Sequence, residues 1–162
     1  MKKDNIFIFD LDGTTINSEH RVGGGSLPSW FNNNTAENIF KDTPMYLGQF
    51  IGILFNLGFK VLVCTSRTLG KADYEFLYTK LYLPVGVKII SREEGDTREP
   101  DVYKKERLSY LANFKQFKKC EKILIDDNSD VRKAFRELGE NCKAWDIPYA
   151  TKSFNHIFGW SS

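Results

Sequence analysis

Short apolar runs, each ending in polar residues, set the rhythm of this chain. "IFIF" occupies residues 6–9 and runs directly into Asp10, predicting a buried strand over 5–10. "KVLVCT" (60–65), "VKII" (87–90), "KILID" (122–126) and "CKAW" (142–145) repeat the form. Runs this short, rich in Val and Ile and flanked by polar residues, are the pattern of buried strands. Helical stretches lie between them. "DTPMYLGQFIGILFNLG" offers Asp42 or Thr43 as N-cap, Pro44 at the first helical position and Gly58 as terminator, predicting a helix over 44–57. Phe76, Leu77, Tyr78 and Leu81 form the apolar face of a helix over 70–82. Another helix is expected at about 101–112, and a further one runs to Leu138 with Gly139 behind it. The last dozen residues show no clear pattern. Residues 14–34, with "GGGS" and "NNN", read as loop, so a short polar insertion is expected at about 14–43.

Alternating strands and helices, with strands apolar on both faces, predict an α/β chain: one Rossmann-like domain over 1–162, its parallel sheet covered by helices on both sides. In such sheets ligands sit beyond the carboxyl ends of the strands, at a switch in strand order. The polar residues of this chain fall there. Asp10 and Asp12 follow the first strand, Thr65, Ser66 and Arg67 the second, and Asp126, Asp127 and Asp130 the fourth.

Carboxylates gathered at one sheet edge repel each other and resist burial. A hard divalent cation with oxygen ligands offsets both effects, and Mg²⁺ fits best. Mg²⁺ takes few protein carboxylates, which leaves an Asp available as a nucleophile toward phosphorus. Arg67 and a lysine at 104 or 105 supply positive charge for phosphoryl oxygens, and Thr65 a hydroxyl. Each piece has a plainer reading. "DLDG" is a turn pattern, "DDNSD" suits a helix N-cap, "TSR" is nearly uninformative and "YKKE" is ordinary helix surface. Their ordered placement at successive strand ends is what argues for a phosphoryl-transfer site.

Composition narrows the picture. The 162 residues carry a net charge of +2, too little to pull the chain onto nucleic acid or membrane without a local patch. No run approaches the length of a membrane span, and the apolar run after Lys2 and Lys3 breaks at Asp10, too early for a secretory leader. Cys64, Cys120 and Cys142 are odd in number and lack metal-ligand spacing, pointing to a reducing, cytoplasmic location (host cytoplasm if phage-encoded). His20, beside Arg21, and His156 are isolated. Trp145 and Trp160 read as packing.

"FDLDGTT", "VLVCTSR", the lysine of "DVYKKE" and "ILIDDNSD" resemble the four ordered motifs of the haloacid dehalogenase superfamily of phosphotransferases, over residues 5 to about 131. The stretch "SREEGDTREPDVYKKE" (91–106), Arg21 placed eleven after Asp10, and Arg67 closing the second motif are further similar to the phosphatase domains of T-even phage polynucleotide kinase-phosphatases. The resemblance implies a Mg²⁺-dependent polynucleotide 3′-phosphatase. Asp10 would be the nucleophile. Asp12 would protonate the leaving hydroxyl, then activate water, its carbonyl touching the metal. Thr65 would bond a phosphoryl oxygen, with Ser66 beside it. Lys104 would be the motif-three lysine, Asp127 the acidic metal ligand, and Asp126 the group orienting the lysine or a metal-bound water. Arg21 and Arg67 would grip the substrate.

The phage phosphatase domains that this chain resembles place an acidic residue four before the lysine. Here that residue is Pro100, and Asp101 is the neighbouring candidate. No G-x-x-x-x-G-K-[ST] loop is present, and "LGKA" at 69–72 lacks its other elements, so no 5′-kinase activity is expected. The insertion is short, with a minimal or absent cap, and an open site suits a polymer end. Trp30 and Phe31 are candidates for stacking on bases or for packing the insertion. The expected substrate is a 3′-phosphorylated DNA or RNA end, with a separate kinase or ligase as partner. A small-molecule phosphatase such as a 5′(3′)-nucleotidase is the alternative. A vestigial scaffold would have lost one of Asp10, Asp12, Lys104 or Asp127, and all four are present.

Overall fold

A computed structural model gives the fold of residues 2–22 and 35–160. Five parallel strands form the central sheet: β1 (Ile6–Phe9), β4 (Lys60–Cys64), β5 (Lys88–Ile90), β6 (Lys122–Ile125) and β7 (Cys142–Trp145). Their order is β5-β4-β1-β6-β7, so strand order reverses at β1. Phe9 is in register with Val63 on one side and Ile125 on the other, which brings the ends of β1, β4 and β6 level.

The two-residue period of the strands sorts their side chains into two cores. Phe7, Phe9, Val61, Val63, Ile123 and Ile125 face one way. They pack against helices α3 (Gln49–Asn56), α4 (Lys71–Thr79) and α9 (Ile147–Ile157). Ile6, Ile8, Cys64 and Leu124 face the other way. There they meet α5 (Pro100–Leu108), α6 (Tyr110–Asn113) and α8 (Ser129–Arg136). Both faces are covered, as the apolar strands predict. A one-turn helix α7 (Lys115–Lys118) precedes β6. Cys64, Cys120 and Cys142 are all free and buried, and burial pushes the Cys64 thiol up to about 12. Among the described residues no helix is long and apolar enough to cross a membrane.

Several boundaries move. The helix expected over 44–57 begins only at Gln49, after a 3₁₀ turn at Tyr46–Gly48. Pro44 does not open it: Thr43–Pro44 is strand β3, paired antiparallel with β2 (Ile16–Asn17). A proline tolerates such an edge because the ladder asks nothing of its missing N–H. Asp42, offered as an N-cap, is instead buried among arginines. Residues 14–22 are not simply loop, since Thr14, Thr15 and Ile16 are fully buried and α1 (Glu19–Val22) follows. With α2 (Ala36–Ile39), the β2–β3 ribbon forms the described part of a minimal cap. Trp30 and Phe31 lie outside the described residues. The helix at 101–112 is interrupted after Leu108 and resumes at Tyr110. Tyr78 lies on the exposed side of α4, while Phe76, Leu77 and Leu81 are buried.

The C-terminal pattern left unassigned in the sequence is helix α9. Asp146 caps it, accepting from Tyr149 N–H, and Pro148 stands in the first turn. Its Phe154 is fully buried and stacks on Phe50 at 4.7 Å between ring centroids, with Phe7, Phe9 and Trp145 around it. Phe154→Ala is expected to cost about 3–5 kcal/mol by urea unfolding, the range for emptying a packed aromatic site.

Candidate active site

Asp10 leaves the end of β1 with its N–H donating to the Ile125 carbonyl at 3.0 Å, so the sheet ladder itself fixes its place. Helix α5, opened by Pro100, brings Lys104 over the strand ends. The Lys104 ammonium donates to Asp10 Oδ1 at 2.7 Å and Asp126 Oδ2 at 2.6 Å, with all three residues buried. Thr14 Oγ1 donates to Asp10 Oδ2 at 2.8 Å and accepts the Asp127 N–H at 3.1 Å. Asp126 also accepts from the Asn128 N–H, and its carbonyl from Arg132. Gly13 has φ +81°, and a Cβ there would stand 2.4 Å from Asp127 Oδ2, so this turn accepts glycine for both reasons.

Burial, and then the charge of Asp126, push the Asp10 carboxyl well above its usual range against the pull of Lys104. Burial also raises Asp127. Burial opposes the charge on Lys104, but Asp10 and Asp126 outweigh it and the ammonium is held firmly charged. Carboxylate oxygens of Asp10, Asp126 and Asp127 lie within 4.8 Å of one another. Three carboxylates facing one ammonium leave uncompensated negative charge, and an all-oxygen donor set of this kind fits Mg²⁺.

Asp12 belongs to a second group. Its carboxylate accepts from Arg67 Nε at 3.2 Å, from Arg67 Nη2, and from Ser18 Oγ at 2.7 Å. Burial pushes this carboxyl up, but the charge and hydrogen bonds of Arg67, with Ser18 and Arg21, more than reverse it. Asp12 therefore ends below its ordinary range. Two carboxyls two residues apart are thus driven in opposite directions. Arg21 and Arg67, expected at the substrate, are each only 1% exposed. Asp42 receives Arg21 through two bonds, at 3.0 and 2.7 Å, and Asp73 receives Arg67 at 2.6 Å. His20 contacts the Asn38 carbonyl and Asp42, bracing the insertion.

Thr65 is fully buried, its Oγ1 accepting the Arg67 N–H at 3.0 Å, which leaves its own proton to donate. Ser66 lines the cleft, and its buried Oγ has no hydrogen-bond partner among the described residues. The cleft, of ≈ 530 Å³, is walled by Asp10, Asp12, Lys104, Asp126 and Asp127, with Met45, Pro100 and Val131 as apolar lining. Asp101, half-buried in the first turn of α5, is not among the described lining residues. The sequence pattern does not point to Thr14, Ser18 or Asp73 as site residues, and it offers Asp42 only as a helix N-cap. Thr14 stands inside the first motif and was within reach there. Asp42 and Asp73 carry no local signal of the site.

Mg²⁺ is expected to raise the melting temperature. Saturation at 100 times Kd corresponds to about 2.7 kcal/mol of added stability. Asp127→Asn should remove most of that shift in a thermal-unfolding titration. A wild-type melting curve indifferent to Mg²⁺ would count against the metal site.

With this geometry in place, comparison with known proteins is informative. Residues 1–149 match the family described as "Bacteriophage T5 5'-deoxynucleotidase". A 5'-deoxynucleotidase of Escherichia phage T5 is 28% identical over 156 aligned residues, covering 83% of this chain and 64% of that protein. The chain thus spans less than two thirds of that relative's length. Among solved structures, a haloacid dehalogenase-like family protein of Streptococcus pneumoniae superposes with TM-score 0.64 at 11% identity, over 97% of this chain and 100% of that one. The Pnkp1/Rnl/Hen1 RNA repair complex contains a chain matching at TM-score 0.60 and 20% identity, over 89% of this chain and 42% of that one. At these identities the structural matches speak for the fold alone. The chain has a haloacid dehalogenase-type fold and belongs to the phage T5 5′-deoxynucleotidase family.

Proposed function

We propose that this protein is a Mg²⁺-dependent phosphatase that removes the phosphate of 5′-deoxynucleoside monophosphates through an aspartyl-phosphate. The observation that carries this reading is the Asp10–Lys104–Asp126 arrangement beside Asp127, in a chain of a deoxynucleotidase family. Asp10 attacks phosphorus, the bond from phosphorus to the 5′ oxygen breaks, and Asp12 gives that oxygen its proton. Water then attacks the aspartyl-phosphate, Asp12 takes its proton, and Asp10 is regenerated as inorganic phosphate leaves. Lys104 offsets charge on the phosphoryl oxygens, and Thr65 and Ser66 offer them hydroxyl donors. Asp10, Asp127 and the carbonyl of Asp12 would hold Mg²⁺, which when bound supplies further charge to offset the phosphoryl group. Asp126 keeps Lys104 in place.

Arg67 favours Asp12 as the carboxylate, the form that the second half-reaction needs. The first half needs Asp12 protonated and Asp10 ionised, although burial pushes the Asp10 carboxyl up, so turnover of a deoxynucleotide is expected to fall toward both acid and alkaline pH, as a bell-shaped pH–rate profile would show.

A mononucleotide is preferred over a polymer because Arg21 and Arg67 are spent on buried ion pairs, and because the cleft volume falls within the range of small-ligand sites. The resemblance over 91–106 favours the other substrate class, a 3′-phosphorylated DNA or RNA end, with a separate kinase or ligase working beside it. Phosphate release should be measured from 5′-deoxynucleotides, 3′-mononucleotides and 3′-phosphorylated oligonucleotides, with Mg²⁺ and with chelator, using Asp10→Asn as blank. Release from 5′-deoxynucleotides, lost with chelator and in the variant, is the expected result. Preferential release from the 3′-phosphorylated oligonucleotide would replace this reading with end processing.

A further inference from the structure

Arg67 spends its guanidinium on three carboxylates from three parts of the chain. Nε and Nη2 hold Asp12, Nη1 donates to Asp73 Oδ1 at 2.6 Å, and Nη2 also reaches Asp42 Oδ2 at 3.4 Å. Asp42 binds Arg21 with both oxygens, and Arg21 Nη2 stands 3.8 Å from Asp12 Oδ1. The Asp42 side chain is fully buried and that of Asp73 only 4% exposed. Asp73 is itself anchored, its Oδ2 accepting the Gly70 N–H at 2.9 Å where α4 begins. Burying so many charges is expensive, and each needs its partners in good geometry. A guanidinium that held Asp12 alone would be free to swing about that one contact. Anchors on both sides fix its plane, and with it the plane of the Asp12 carboxylate. Arg21 and Asp42 lie in the two described arms of the insertion, so the same contacts tie both arms to the core through Arg67.

We propose that Asp42 and Asp73 are positioning residues, which hold Arg67 through Nη2 and Nη1 so that Asp12 is aimed at the leaving oxygen of the substrate. The inference rests on the reading of Asp12 as the group that protonates that oxygen. Neither Asp42 nor Asp73 lines the cleft, so both act through Arg67.

The discriminating readout is the leaving group. A deoxynucleoside leaves as a poor alkoxide and needs a well-placed proton donor. p-Nitrophenolate leaves without one. General acid–base catalysis contributes on the order of 10²–10⁴-fold, so partial misplacement of Asp12 is expected to slow release of the deoxynucleoside in the first half-reaction by roughly tenfold or more. Wild type, Asp12→Asn, Asp42→Asn and Asp73→Asn should be assayed in single turnover, with enzyme in excess, for release of deoxynucleoside from a 5′-deoxynucleotide and of p-nitrophenolate from p-nitrophenyl phosphate. Single turnover is needed because the later hydrolysis of the aspartyl-phosphate uses Asp12 with either substrate. Each variant is checked for folding by thermal melt. The expected result is a loss confined largely to the nucleotide in all three variants, deepest in Asp12→Asn. Asp42→Glu, which keeps the charge but lengthens the arm, should show the same selective loss, and it serves if Asp42→Asn does not fold. Equal losses on both substrates in the folded Asp42 and Asp73 variants, or no loss on either, would overturn the positioning role. If Asp12→Asn itself loses both activities equally, the leaving-oxygen reading fails first, and the positioning role falls with it.

Discussion

The site depends on keeping three carboxylates together at the carboxyl edge of a parallel sheet. Asp10 and Asp126 end neighbouring strands whose register sets Phe9 beside Ile125, so the sheet forces the two acids together before any side chain has a choice. Mutual repulsion and loss of water would drive them apart or neutral. Buried Lys104 opposes this by donating to both, and Thr14 ties Asp10 to the backbone of Asp127. The remaining negative charge is what makes the edge a place for a hard cation. The two apolar cores keep this edge rigid by fixing β1 from both faces.

Beside it stands a second, separate charge group with arginine instead of lysine. The division explains how two aspartates so close in sequence acquire opposite tendencies. Asp10 is buried against acids and pushed toward neutrality, whereas Asp12 is drawn to Arg67 and Ser18 and kept ionised. Environments that drive a pair of acids apart are how one site assigns them different tasks. The arginine group also bears on the proposed substrate. Guanidinium groups that are buried and already paired are poorly placed to track a polymer backbone, and this weighs toward a small phosphomonoester.

Sequence patterning alone determined the α/β class, the five sheet strands to within a residue or two, and the gathering of Asp10, Asp12, Thr65, Asp126 and Asp127 at one edge, while the choice of Lys104 over Lys105 came from the family resemblance. It could do so because a strand buried on both faces writes a short unbroken apolar run, and a parallel sheet puts whatever follows such runs on the same side. Tertiary structure decided the rest. Pro44 reads as a helix start until β2 supplies a partner strand, and Asp42 reads as a cap until two arginines bury it. Helix α9 has no local pattern strong enough to announce it, since its burial is set by Phe50 and Trp145, distant in sequence. That Arg21 and Arg67 turn inward is a matter of which carboxylates the fold sets around them, and long-range ion pairs leave no periodic mark on a chain.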